Sequence, residues 1–561
     1  MKVFGLLTAL LPALWSALSH AIHNPIIPGW NPDPSILRVG KEYFIATSSF
    51  EYWPGIPIYR STDLQNWEIY SHALTRSSQL QLYGVPTSAG TWAPSLHHIN
   101  GKFYLTTMVR WTYDPTAKIW PRVFWVFSTD LKHWSDPVWS EPWGIDPELF
   151  QDPKTNRVYL NLMAPNNNVD RIWGISQCEV NLSSGRCIGE YRSIWNGTLE
   201  HNSAARPEGP KMFTYGDWYY LLIAEGGTDS LHRATIARSS SPSGPWTANP
   251  DNPLIYNGAY GFTNLTVQST GHATLFTTPT GDWNAVFLAR RNINGSSPLG
   301  RETFLTSVKW ENGWPIFNNG DPITLNGVDD PKPVPRPFVE EFTGKALDAS
   351  WYRLRTPYSQ TYTLAGDSGL ILHPNVFSIS ERDTPAAVFR KQTSLNMTFS
   401  ATVLPFSYSD YLGPTQTLGI SAYLSELQHQ DIGVTGCAEQ KGLCIYTSLL
   451  NNGTAEYTQY PLTQPKPKSK KTTLTFHIRA TPSTYSLGYS LDSSSSKTWL
   501  VDFPSSYLAT APPNWYVFSG AMFGLFASGN GNPWPVDGPD VGFTNVKEVY
   551  LEERIPDMGL N

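Results

Sequence analysis

Gly216-Asp217-Trp218-Tyr219-Tyr220 reads as a tight turn feeding a strand of alternating aromatic and aliphatic residues. The same pattern occurs as Gly40-Lys41-Glu42-Tyr43-Phe44-Ile45, Gly101-Lys102-Phe103-Tyr104-Leu105, Asn156-Arg157-Val158-Tyr159-Leu160 and Gly281-Asp282-Trp283-Asn284-Ala285. Counted from the turn residue in chain order, successive copies lie 61, 55, 60 and 65 residues apart. A second motif follows some copies: Ser61-Thr62-Asp63-Leu64-Gln65-Asn66-Trp67 matches Ser128-Thr129-Asp130-Leu131-Lys132-His133-Trp134, and a looser form ends in Gly244-Pro245-Trp246. Five such units built only of short strands predict a five-bladed β-propeller over residues 22–328.

Beyond residue 328 the repeat is lost. Asp329-Asp330-Pro331-Lys332-Pro333-Val334-Pro335-Arg336-Pro337 reads as a stiff, extended connector over 329–337. Residues 338–561 still alternate like strands, as in Leu474-Thr475-Phe476-His477-Ile478, and predict a β-sandwich. Its Lys466 to Lys471 segment reads as a solvated hairpin tip.

Composition agrees with an all-β chain of two domains. A length of 561 residues exceeds what one ordinary core serves. Charged residues make up 15% and aromatic residues 13%, with 43 Gly and 46 Pro, a turn-rich profile poor in helix formers. The 22 Trp and 28 Tyr suit stacking on the flat faces of sugars as well as a core. A net charge of −6 argues against nucleic acid as a partner, because binding phosphate needs a basic face.

Several features point to export. Lys2, the apolar run from Val3 to Leu18 and Ser19-His20-Ala21 form a signal peptide over 1–21, with the mature chain expected from near Ile22. The apolar run is shorter than a spanning helix needs, so no membrane anchor is expected. Sequons stand at Asn181, Asn196, Asn264, Asn294, Asn396 and Asn452. The cysteines form two close pairs, Cys178 with Cys187 and Cys437 with Cys444, which in an oxidising compartment read as two small-loop disulfides.

The residues ahead of each repeat turn carry the chemistry. They are Asn31-Pro32-Asp33-Pro34-Ser35, Trp92-Ala93-Pro94-Ser95, Gly144-Ile145-Asp146-Pro147-Glu148, Arg206-Pro207-Glu208-Gly209-Pro210 and Gly271-His272-Ala273-Thr274. Each falls at the start of the first strand of its blade, and in a propeller that strand lines the central axis. Asp33, Asp146, Glu208 and His272 are therefore expected around one cavity. Three carboxyls meeting there cannot all ionise freely, so at least one should have a raised pKa. One protonated and one ionised carboxyl is the usual machinery for cleaving a glycosidic bond.

The segments NPIIPGWNPDPSI, ATSSFEYWPGIPIYRSTDLQNW, TWAPSL, GIDPELF, RPEGPKMF, AEGGT, GHATL and LGRET together resemble glycoside hydrolase family 43. Within it they are most similar to β-xylosidases that carry a C-terminal, concanavalin-like β-sandwich. The resemblance implies Asp33 as general base, Glu208 as general acid and Asp146 as the group that tunes and orients the acid. It also implies inversion in one step, with base and acid roughly 6.5–9.5 Å apart. Phe50, Trp92 and Arg301 match positions walling the terminal sugar, and His272 matches a histidine near the axis. In some relatives that histidine helps hold a cation or water; no cofactor and no metal are assigned here.

The sequence departs from the family at Pro147-Glu148, where small residues are common, and at Lys211, where a histidine often stands. Glu148 is a fourth nearby carboxyl, expected to face away from the cavity by strand alternation. The implied activity is an exo-acting β-1,4-xylosidase releasing xylose from the non-reducing end of xylo-oligosaccharides, with xylan or arabinoxylan as the polysaccharide partner. An α-L-arabinofuranosidase is the alternative, and a non-catalytic sugar-binding propeller the rival from another class.

Overall fold

The computed structural model describes residues 23–551 except 118, 167–171, 203, 260, 326–334, 367–368, 405–411, 463–472, 493–495, 510–516 and 537. The leader, most of the proline-rich connector and the Lys466–Lys471 tip thus lie outside the described residues.

Five four-stranded antiparallel sheets occupy the first part of the chain. Their first strands are Ser35–Val39, Gly90–Ile99, Ile145–Gln151, Glu208–Tyr215 and Val267–Thr277, which head blades 1 to 5. Each first strand packs against the first strand of the next blade, and that of blade 5 packs against that of blade 1, so the sheets close into a ring. All five repeat turns join the first and second strands of a blade, and their turn residues have positive φ: Gly40 63°, Gly101 77°, Asn156 61°, Gly216 57° and Gly281 92°. That backbone region explains why glycine or asparagine recurs there.

The second motif builds the turn between the third and fourth strands. Asp63 Oδ1 accepts the N–H groups of Gln65 and Asn66 at 2.9 and 2.8 Å, and Asp130 Oδ1 does the same for Lys132 and His133. Ser61 and Ser128 Oγ accept the N–H groups of Leu64 and Leu131. These are Asx and Ser turns whose side chains replace missing backbone partners.

Apolar cores form between neighbouring blades. Met108 and Trp125 of blade 2, for example, pack with Leu149, Leu160 and Leu162 around blade 3. The ring is fastened by the segment ahead of blade 1. Ile26 N–H donates to Thr303 O at 2.9 Å, Asn31 N–H to Arg301 O at 2.8 Å and Gly29 N–H to Glu302 Oε1 at 2.8 Å, all on blade 5.

Two further sheets form a sandwich. One follows the order Tyr362–Leu364, Leu370–Leu372, Val541–Tyr550, Met397–Val403, Leu474–Ala480, Thr484–Leu491, Thr498–Pro504, with Phe338–Glu340 also paired to Val541–Tyr550. The other runs Ala386–Lys391, Met522–Ser528, Thr417–Ser425, Gln428–Gly436, Leu443–Asn451, Thr454–Pro461. Inward-facing Phe399, Phe523, Leu418, Ile432, Ile478 and Phe543 fill the space between them. Disulfides join Cys178 to Cys187 in the propeller and Cys437 to Cys444 in the sandwich.

The two units share a core. Trp30, Phe50 and Tyr52 of the propeller cluster with Tyr352, Phe389, Tyr423, Met522 and Phe526 of the sandwich. Arg353–Leu354 pairs as a short strand with Tyr52–Trp53. Buried Lys391 donates from Nζ to Asn31 Oδ1 at 2.7 Å, two residues from Asp33. The sandwich therefore braces the part of blade 1 that carries one of the cavity carboxyls.

Candidate active site

A β-bulge recurs where the first strands begin. Pairing with the second strand shifts register between Trp92 and Ser95, between Ile145 and Glu148, between Glu208 and Lys211, and between Gly271 and Thr274. The bulged pairs are Ala93-Pro94, Asp146-Pro147, Gly209-Pro210 and His272-Ala273. Asp33-Pro34 lies at the matching place just before blade 1. In each pair the first residue is left-handed: φ is 58° at Asp33, 41° at Ala93, 53° at Asp146, 59° at Gly209 and 50° at His272. Four of these are not glycine, which marks strain held by the surroundings. A bulge re-aims side chains, and here it turns the start of each strand toward the axis.

This geometry shifts one part of the repeat alignment. Gly209, not Glu208, is the counterpart of Asp33, Asp146 and His272. Glu208 stands one residue earlier, level with Trp92 and Ile145, each the last paired residue before its bulge. Blade 4 has room only for glycine at the bulge, because a Cβ on Gly209 would lie 2.7 Å from His272 Nε2. The acidic side chain is thereby supplied from the neighbouring position.

Asp33, Asp146, Glu208, His272, Phe50, Trp92 and Arg301 all line one cavity of about 1030 Å³. The three carboxyl residues are 6%, 5% and 9% exposed, so their charges are poorly screened and their surroundings set their protonation. Asp33 Oδ2 accepts Ser48 Oγ–H at 2.6 Å; its Oδ1 lies 3.2 Å from Arg301 Nη1 and 3.3 Å from His272 Nδ1. Burial alone would push the Asp33 carboxyl up, but the Arg301 guanidinium, His272 and the Ser48 hydroxyl together hold it well below the usual carboxylate range. Burial pushes Glu208 well above its ordinary value, and the nearby Asp146 and Asp33 charges add to the rise against the opposing Arg206 and Arg301. Asp146 is also raised by burial, and its Oδ2 accepts the N–H of Gly209, beside Glu208, at 3.0 Å. One cavity thus holds a carboxyl whose surroundings favour the anion, Asp33, and one whose surroundings favour the acid, Glu208.

The walls come from both domains. Phe518 of the sandwich lies 6.2 Å from the Phe50 ring and 5.3 Å edge-on from Trp92, with the Arg301 guanidinium 5.4 Å over its face. Its N–H donates to Ser88 Oγ at 2.8 Å, and Trp92 Nε1–H donates to Ser88 O at 2.9 Å. Trp120, which also lines the cavity, stacks on Trp143 at 5.0 Å. Arg206, Arg290 and Trp173 also line it. Sequence reasoning missed Phe518, which follows the propeller by about two hundred residues and carries no motif. The Trp120–Trp143 pair was missed because neither residue falls in a motif that recurs from blade to blade, although Trp143 ends the fourth strand of blade 2. Glu148 does not line the cavity. Among the described residues no group of three or more His, Cys, Asp or Glu side chains is placed to hold a metal ion.

Comparison with known proteins gives one family for both parts. Residues 22–315 match the family described as Glycosyl hydrolases family 43, and residues 339–536 match the Beta xylosidase C-terminal Concanavalin A-like domain. A non-reducing end alpha-L-arabinofuranosidase of Bacteroides ovatus is 34% identical over 417 residues, covering 72% of this chain and 75% of that protein. A beta-xylosidase of Bacillus subtilis is also 34% identical, covering 67% of this chain and 72% of its own. The crystal structure of a xylan beta-1,4-xylosidase from Bacillus halodurans superposes with a TM-score of 0.83 at 28% identity, over 94% of this chain and 100% of that one.

Proposed function

Because the chain belongs to glycosyl hydrolase family 43, we propose that it is an exported, exo-acting β-1,4-xylosidase that releases xylose from the non-reducing end of xylo-oligosaccharides with inversion. It is a glycoside hydrolase of the β-xylosidase and arabinofuranosidase kind. The observation that carries the finer reading is that Glu208, whose burial favours its protonated form, and Asp33, which Arg301 and His272 favour as an anion, line one cavity walled by Phe518 of the second domain. Two disulfides and the exposed sequon residues Asn181, Asn264, Asn294 and Asn452 support export.

In this reading Asp33 takes a proton from water as the oxygen attacks the anomeric carbon. Its anion is set by Arg301 and His272, so it is available as a base across the working pH range. Glu208 gives its proton to the leaving oxygen as the glycosidic bond breaks. Asp146 keeps Glu208 protonated through its charge and holds the Gly209 amide beside it. After one turnover Glu208 is ionised and Asp33 is protonated, and exchange with solvent restores both. Phe518, Trp92 and Phe50 close one side of the cavity with apolar rings, which favours a chain terminus over a site inside a chain.

The arabinofuranosidase reading rests on the Bacteroides relative, since a furanose can present hydroxyls as a xylopyranose does. Comparing kcat/KM on an aryl β-xyloside and an aryl α-L-arabinofuranoside decides between them. The xyloside is expected to be preferred; a tenfold advantage for the arabinoside would reverse the assignment.

A further inference from the structure

The strand that carries Glu208 is poorly held by its own sheet where it matters. Pairing with the second strand of blade 4 runs from Glu208 opposite Ala224 directly to Lys211 opposite Leu222, leaving Gly209 and Pro210 in the bulge. Proline has no N–H to give. Blade 3 holds this strand at two points, one in the unpaired bulge and one beyond it. Asp146 Oδ2 accepts the Gly209 N–H at 3.0 Å, and Glu148 Oε1 accepts the Met212 N–H at 2.8 Å. One bond lies within the bulge and the other just past it, on the residue after Lys211.

Glu148 is itself held by a chain of buried side chains. Its Oε2 accepts Asn161 Nδ2–H at 3.0 Å, Asn161 Oδ1 accepts Gln177 Nε2–H at 2.9 Å, and Gln177 Oε1 accepts Ser243 Oγ–H at 2.6 Å. Gln177 Nε2 also donates to Pro242 O at 3.0 Å. Glu148, Asn161 and Gln177 are 2%, 0% and 2% exposed. The chain crosses three strands of blade 3 from the outer loop of blade 4 to the axis. Each amide in it has one orientation that satisfies its neighbours, which is how a buried network fixes a geometry.

The charge acting on Glu148 is Lys211 of blade 4, which in turn feels Asp146 of blade 3 and Asp33 beside blade 1 and acts on His97 of blade 2. Lys211 Nζ donates to Ser95 Oγ of blade 2, so the lysine ties a third blade to the same strand. Burial pushes Glu148 up to about 7, with the Lys211 ammonium opposing the rise. Either protonation state leaves an oxygen free to accept the Met212 amide.

We propose that Glu148 is a positioning residue for the general acid: it anchors the acid-bearing strand just past the bulge in which Asp146 holds the Gly209 amide, so that the Glu208 carboxyl stays aimed at the leaving oxygen. The inference rests on the reading of Glu208 as the acid. A purely structural role would lower activity on every substrate alike. A positioning role lowers it where the acid is needed, on xylobiose, and spares an aryl β-xyloside whose phenolate leaves without a proton.

The experiment measures kcat and KM of Glu148→Ala and Glu208→Ala on xylobiose and on 2,4-dinitrophenyl β-xyloside, with thermal unfolding as a check on folding. Glu148→Ala is expected to lose about thirtyfold in kcat on xylobiose and less than about threefold on the activated xyloside, with KM nearly unchanged, as a displaced catalytic group would give. Equal losses on both substrates, or none on either, would overturn the proposal. If Glu148→Ala does not fold, Asn161→Ala, which removes the brace behind Glu148, decides by the same criterion. If Glu208→Ala itself shows no dependence on leaving group, the acid assignment fails and this inference with it. If Glu208→Ala shows that dependence and Glu148→Ala does not, only the positioning role is lost.

Discussion

Glu208→Ala is expected to lower kcat on xylobiose by about 10³- to 10⁴-fold, and to lower kcat on 2,4-dinitrophenyl β-xyloside by less than about tenfold. A sugar alkoxide is too basic to depart without a proton, whereas a dinitrophenolate is stable as an anion. The structure places Glu208 where burial and two neighbouring carboxylates keep it protonated well above the ordinary range, and an acid catalyst must be protonated when it acts. The pH dependence follows with its sign. Wild-type kcat/KM on xylobiose should fall as pH rises through the elevated pKa of Glu208, because the acid is then ionised. The variant should lack that alkaline limb. Comparable losses on the two substrates, or an unchanged alkaline limb, would remove Glu208 from the acid role.

Asp33→Asn is expected to lose about 10³- to 10⁴-fold on both substrates, without regard to the leaving group, because water must attack in either case. Asparagine is the informative replacement. Asp33 sits at φ 58°, a region asparagine tolerates and alanine resists, and the amide oxygen can still accept from Ser48 Oγ. What the change removes is the negative charge that Arg301 and His272 converge on and the ability to take a proton. Steady-state kinetics on both substrates check this. More than a tenth of wild-type activity, or a loss that tracks the leaving group, would show that the base lies elsewhere.

The sequence carried the ring of blades because the turn residues are forced by backbone geometry. Gly40, Gly101, Asn156, Gly216 and Gly281 all occupy positive φ, so the same short alphabet recurs at each blade. The Ser-x-Asp-Leu turn was legible for a similar reason, since its side chains stand in for backbone partners over a few residues. Convergence of Asp33, Asp146, Glu208 and His272 on one cavity followed from strand order alone.

What stayed hidden depends on contacts between distant segments. The bulge at each strand start inserts a left-handed residue whose register appears only when the second strand is paired, so Gly209 was not recognised as the counterpart of Asp146. Phe518 reaches the cavity through docking of the sandwich, which no local pattern reports. Glu148 was expected to face away from the cavity, and it does not line it. Its bond to the Met212 amide on the next blade could not be read from alternation within one strand.

The most direct test of the acid–base assignment is the anomer first released from xylobiose, followed by proton NMR before mutarotation. Direct attack by a water that Asp33 activates, with protonation by Glu208, requires α-xylose as the first product. Initial release of β-xylose would mean a covalent intermediate or a different pair of groups, and would contradict the roles assigned to Asp33 and Glu208.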